Sequence, residues 1–212
     1  MSEFAEPDEE RDAIFTLLAC AAVAKTWDPD PLGAASGHNI GAILVDKNSQ
    51  PVFWARNRST VARDLTEHAE VRLIRGYIAT QPERTELHKH RIFTTLEPCA
   101  MCAGMMAMTN VARLVFGQSD PVYGGVFDRL NAGPAPYPKR VEASPASDTI
   151  ASSLDRAFAA SGKTEVIEWL PTVDAQNTFE RLGAQFATLV PQFPDNAEVL
   201  ENARAFLAGR VS

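Results

Sequence analysis

Apolar residues along the chain fall into short continuous runs and longer stretches with helical spacing, and the two patterns alternate. Residues 13–24 (AIFTLLACAAVA) are too few to span a bilayer and predict a buried N-terminal helix over about residues 9–26. Residues 40–45 (IGAILV), the turn-forming KNSQP and then VFWAR predict a β-hairpin. Val71, Ile74 and Ile78 fall at helical spacing, with Leu73 and Tyr77 as a second i, i+4 pair, so a helix starts near His68. Residues 91–96 (RIFTTL) read as a strand closed by Glu97 and Pro98. Pro98 suits a first helical turn, where its missing amide hydrogen costs nothing, and a Met- and Ala-rich helical segment follows. Residues 112–117 (ARLVFG) predict another buried strand. A Gly- and Pro-rich loop over 123–145 leads to a helix over 148–160, a strand over 164–170 and a helix after Pro171. That helix carries Phe179, Leu182, Phe186 and Leu189 on one face, and a last amphipathic helix covers 197–207. Strands alternating with helices predict an α/β layered domain, its first strand pair antiparallel and the later ones parallel.

Length and composition narrow this picture. A chain of 212 residues is the size of one domain, 1–212, with a core over about 37–190 and a C-terminal helical extension over about 171–209. The segment before the first apolar stretch, EFAEPDEERD, is acidic where a signal peptide needs positive charge. With three cysteines, an odd number, a disulfide framework is not expected and a reducing cytoplasm is, so a close Cys pair becomes a metal or redox candidate. Cys20, on the apolar N-terminal helix, reads as core. A formal charge of -7 argues against broad nonspecific nucleic-acid binding, and nothing predicts a membrane partner. Residues 47–91 reverse the sign locally, nine Lys or Arg against five acids, which reads either as a solvated face or as a contact for a phosphate-bearing substrate.

Cys99 and Cys102 lie three apart at a predicted helix start, so both sulfurs can project to one point, and the helix N-terminus favours thiolate. His68 opens the other helix. Three N and S ligands with no evident fourth are what a catalytic zinc ion needs, because the open position holds a water whose pKa falls to about 7. Glu70, two residues beyond the histidine, can take a proton from that water and return it to a ring nitrogen and a departing amine. HAE at 68–70 with PCAMC at 98–102 matches the established H-x-E and P-C-x-x-C signature of zinc nucleobase deaminases. Alone, the CxxC would compete with a redox motif. His88 and His90 could chelate as an HxH pair, but in a charged loop they read as solvated; His38 stays ambiguous. Met101, Met105, Met106 and Met108 read as core filling on the Cys-bearing helix.

On these residues the chain resembles the cytidine and deoxycytidylate deaminase superfamily, in the branch of tRNA adenosine deaminase and bacterial guanine deaminase. The likeness covers about 37–128, through IGAILVDKNSQPVFWARNRS, HAEVRLI, TLEPCAMCAGMM and VARLVFGQSD, and more loosely 164–189. It implies a three-layer α/β/α fold with a central mixed five-stranded sheet flanked by helices and extra C-terminal helices. It also implies a zinc hydrolase acting on the C–N bond of a cyclic amidine, and a homodimer. Asn57, eleven residues before His68, holds the place of the family's base-binding Asn; its amide can donate and accept at once, although a turn residue is the alternative. Backbone groups of Ala69 and Cys99 and the carbonyl of Glu97 are implied as further base contacts, while Glu97 can equally be a helix-start carboxylate. In GGVFDRL, Asp128 resembles the acid that contacts the guanine edge in guanine deaminases.

The leading expectation is therefore deamination of a small-molecule purine base, guanine or a related aminated ring, with release of ammonia. A tRNA adenosine deaminase is the alternative: the family's tRNA enzymes carry clustered basic residues in the terminal helix, where NTFERLGAQFATLV offers only Arg181. Cytosine, cytidine or nucleotide deamination stays open, with Arg56, Arg58, Arg72 and Arg75 as conceivable phosphate contacts. So do a non-catalytic zinc scaffold and a toxin acting on nucleic acid. The 130–163 insertion departs from both subfamilies.

Overall fold

The computed structural model describes residues 4–30, 37–81, 83–131 and 140–211. Helix α1 (Pro7–Lys25) opens with proline and three acids in its first turn and closes on Lys25, all favourable to the helix ends. Strands β1 (Gly41–Val45) and β2 (Pro51–Arg56) form the predicted hairpin. A short helix α2 (Ser59–Ala62) precedes α3 (Ala69–Ala79), then β3 (Arg91–Leu96), α4 (Ala100–Met108) and β4 (Arg113–Gln118). Helix α5 (Val126–Asn131), strand β5 (Glu142–Pro145), helices α6 (Asp148–Ala160), α7 (Val166–Trp169) and α8 (Val173–Thr188), a 3-10 turn (Pro194–Asn196) and α9 (Ala197–Arg210) complete the order.

Among the described residues one mixed five-stranded sheet runs β2-β1-β3-β4-β5. Strand β1 is antiparallel to β2 and β3, whereas β3, β4 and β5 are parallel, as their helical crossovers require. Neighbouring residues of β3 show the two covered faces. Phe93 meets Phe15 of α1 with ring centroids 5.1 Å apart, and Thr94 on the opposite face donates to Glu70 of α3. Helices α1 and α6 thus cover one face and α3 the other, giving α/β/α layers.

Helix α1 is apolar around most of its circumference because it lies between the sheet and α8 and α9. Its buried Glu10 is held by the C-terminal segment, accepting from the Phe193 amide (3.1 Å), the Asn196 amide nitrogen (2.7 Å) and the Gln192 amide. The stripe Phe179, Leu182 and Phe186 is buried within the chain, with Trp27 and Trp169 packed against Phe179, whereas Leu189 is only partly buried. Cys20 is wholly buried core, as expected. No helix of the described residues is long and apolar enough to cross a membrane.

Two expectations fail here. The strand predicted over 164–170 is helix α7: its buried positions Val166, Trp169 and Leu170 fall at i, i+3 and i+4 rather than alternating. The fifth strand is β5, inside the segment predicted as a loop over 123–145, of which residues 132–139 lie outside the described residues. Strand β5 pairs only with β4 and is half-exposed, so it lacks an apolar signal, and an edge tolerates Pro145.

Candidate metal centre

His68 and Cys99 are the residues immediately preceding α3 and α4, both in extended backbone conformation, and neither spends its side chain on capping its own helix. Cys102, one turn further along α4, is fully buried. The two helix starts converge at the C-terminal end of β3, which delivers Glu97 and Pro98 directly into α4.

The three donor atoms fit a zinc ion. Cys99 Sγ lies 3.8 Å from Cys102 Sγ, and His68 Nδ1 lies 3.6 Å from Cys99 Sγ and 3.5 Å from Cys102 Sγ. Tetrahedral zinc, with Zn–S of about 2.3 Å and Zn–N of about 2.0–2.1 Å, sets its sulfurs about 3.8 Å apart and each sulfur about 3.6 Å from nitrogen. His68, Cys99 and Cys102 are therefore placed to hold zinc, with one tetrahedral position left for a small ligand. The Cys102 thiol, foremost, and His68 hold Cys99 down to about 3, while the same contact and burial push Cys102 up.

Glu70 occupies the first turn of α3 and is buried beside this centre. Its Oε1 accepts from Thr94 Oγ1 (3.1 Å) and its Oε2 from Cys102 Sγ (3.4 Å). Burial raises its pKa, the direction that makes a carboxylate a better proton carrier near neutrality.

The centre opens into a cleft of about 420 Å³ lined by Asn57, Ser59, His68, Glu70, Glu97 and Cys99, with Leu65, Met101, Tyr123 and Ile167 among its other walls. Asn57 is 2% exposed, and its Oδ1 accepts from both the amide (3.0 Å) and the hydroxyl (2.9 Å) of Ser59. The Asx-type turn and the site thus coincide, and the expected donor-and-acceptor amide is reduced to its Nδ2 donor. Ala69 is fully buried behind His68, so only its backbone can serve a ligand.

The Glu97 side chain has a structural part of its own, beside the backbone carbonyl that is implied as a base contact. Its carboxylate accepts from the amides of Asp120 (3.0 Å) and Gly125 (2.7 Å), and so fixes the loop that carries Asp120 and Tyr123 into the cleft wall. Gly124 permits this closeness, since a Cβ there would stand 2.2 Å from Glu97 Oε2. Asp128 is exposed on α5 and does not line the cleft.

Several positions read otherwise from sequence. His38 lines the cleft, its Nδ1 buried and without a partner among the described residues; burial, then repulsion from His68, lowers its pKa. His90, read as solvated, is 4% exposed and packs on Tyr77, while His88 is exposed. Met106 fills the core, but Met101 lines the cleft mouth and Met108 faces solvent. Leu65, Tyr123 and Ile167, which also line the cleft, carried no motif in the sequence.

Residues 15–118 match the model of the cytidine and deoxycytidylate deaminase zinc-binding region. A probable cytosine deaminase of Schizosaccharomyces pombe is 39% identical over 83 residues, 39% of this chain and 49% of that protein. A tRNA-specific adenosine deaminase of Haemophilus influenzae is 37% identical over 92 residues, 43% of this chain and 53% of that one. The chain thus spans about half the length of these curated relatives. A structure from work on A-to-I editing by tRNA:A34 deaminases superposes with a TM-score of 0.50 at 28% identity, over 61% of this chain and 96% of that one.

Proposed function

Because residues 15–118 belong to the cytidine and deoxycytidylate deaminase zinc-binding family, we propose that the chain is a hydrolytic deaminase that exchanges the exocyclic amine of a nucleobase for oxygen and releases ammonia. The observation that carries this reading is the three-ligand centre at tetrahedral spacing with the buried carboxylate of Glu70 beside it. Bound zinc supplies Lewis acidity at the open position, bringing the pKa of a water toward neutrality. Glu70 accepts a proton from the attacking water and delivers it to the ring nitrogen next to the reacting carbon; it then takes the second proton from the newly added hydroxyl and passes it to the amine, which leaves as ammonia as the C–N bond breaks and the C=O forms. Thr94 holds the carboxylate by Oε1. Asn57 presents Nδ2 to an acceptor on the base, and the Ala69 amide and Glu97 carbonyl complete its positioning. The apolar walls exclude bulk water.

Adenosine in tRNA is the substrate we favour. The relatives and the superposed structure named for tRNA adenosine support it, and a cleft of about 420 Å³ suits one base turned out of a loop. The guanine expectation loses its residue-level support, because Asp128 stands outside the cleft and Asn57 keeps only a donor. Free cytosine is the second reading, favoured by the 39% identity to the fission-yeast protein. Zinc-loaded protein incubated with tRNA, adenosine, guanine and cytosine, followed for ammonia and for inosine in the RNA, tests this. Inosine in tRNA without turnover of free bases is expected; turnover of guanine or cytosine alone refutes the choice.

A further inference from the structure

A second cavity, of about 750 Å³, lies along the outer strand β2 and the face of α3, and shares no lining residue with the metal cleft. Its walls include Trp54, Arg56 and Arg58 from the end of β2 and Glu67, Arg72 and Arg75 from the approach to α3. Four arginines and one glutamate thus stand in its lining, in a chain whose total formal charge is -7. Glu67 is divided between Arg72 (2.6 Å) and Arg75 (3.1 Å), and Arg58 is exposed with no ion pair among the described residues.

The buried groups are incompletely satisfied. Arg56 is 8% exposed; its Nη2 donates to the Gly37 carbonyl (3.2 Å) and to Asn39 Oδ1, but Nε and Nη1 are buried without partners among the described residues. Arg72 Nε is in the same state. Burial lowers the Arg56 pKa, against the attraction of Asp28. Guanidinium donors buried without acceptors are costly and uncommon. The exposed Arg58 and Arg75 in its lining carry planar guanidinium groups that suit the oxygens of phosphate, and the half-buried Trp54 is a further lining residue beside them.

We propose that this cavity is a phosphoryl-binding site separate from the metal cleft, taking the phosphate of a free nucleotide or of a polynucleotide backbone. Its position ties it to the cleft through chain neighbours: Arg56 and Arg58 flank Asn57, and Glu67 precedes His68. Occupancy would be felt at the cleft by way of those backbone steps.

Calorimetric titration of the zinc-loaded full chain with inorganic pyrophosphate at low ionic strength tests the site without any turnover, so its failure leaves the deaminase reading untouched. One pyrophosphate per chain is expected. The double variant Arg58→Gln, Arg75→Gln, both at exposed positions, should weaken binding at least tenfold with zinc content and Tm unchanged. Absence of binding, or binding insensitive to the double variant, overturns the proposal, the latter by placing the anion in the metal cleft. Competition by AMP identifies a free nucleotide as the source of phosphate, and competition by an RNA hairpin alone identifies a backbone. Failure of both to compete refutes the assignment to nucleotide phosphate.

Discussion

Glu97→Gln isolates the clamp that shapes one wall of the cleft. The native carboxylate accepts two backbone amides, from Asp120 at 3.0 Å and Gly125 at 2.7 Å, and a glutamine of the same size keeps one good acceptor while turning its NH2 toward the other amide. Hydrogen bonds to a charged acceptor contribute about 1.5–3 kcal/mol when buried. Glu97 is half-exposed and Gly125 exposed, so the loss should be about 1–2 kcal/mol, confined to the loop. Since about 1.4 kcal/mol is a factor of ten, the Gly125 and Asp120 amides should exchange with solvent roughly tenfold faster, while amides in β3 and β4 keep their protection. Native-state hydrogen exchange at residue resolution measures this directly. Asp120 and Tyr123 line the cleft, so KM should rise more than kcat falls. Unchanged exchange at Gly125, or loss spread over the whole sheet, would refute the clamp.

Cys99→Ser or His68→Ala should release zinc, which atomic absorption after dialysis reads directly; retention of one zinc per chain by either variant counts against the ligand set. Phe179→Ala, at a fully buried ring packed between Trp27 and Trp169, should cost about 3–5 kcal/mol in chemical denaturation, and a loss under about 1 kcal/mol would mean α8 is not part of the core. Burial, foremost, holds the His90 pKa below 6.5, so the native state binds fewer protons than the unfolded chain there. The stability this supplies is present above pH 6.5 and lost as pH falls through the folded pKa. His90→Phe should flatten the fall in Tm between about pH 6.5 and 5 relative to wild type, and an identical slope would sink the assignment.

The residues placed to hold a metal were legible because that chemistry demands fixed types at fixed spacing, and helix starts near His68 and Cys99 could be read from the sequence behind each. Most of the sheet was legible as well: β1, β3 and β4 each carry a short apolar run, and nearly all of their residues are buried on both faces. Strand β5 was not, since an edge strand reading EASP carries no such run. Helix α7 was misread because four residues are too few to separate a helical from an alternating pattern. Asn57 was found by its distance from His68, but its pairing with Ser59, which removes its acceptor, is a tertiary fact. The Glu97 clamp escaped notice because its partners lie 23 and 28 residues away in a loop without motif. Asp128, selected by local likeness, is exposed on α5 and is not among the residues that line the cleft.

Zinc content and ammonia release measured together on Glu70→Gln put the central assignment to its most direct test. Glu70 touches Thr94 and Cys102, and the three metal ligands are other residues, so one zinc per chain should remain. Removal of the proton carrier should lower turnover of the substrate identified for the wild type by about 10²–10⁴-fold. A variant that keeps its zinc and deaminates at the wild-type rate would contradict the account.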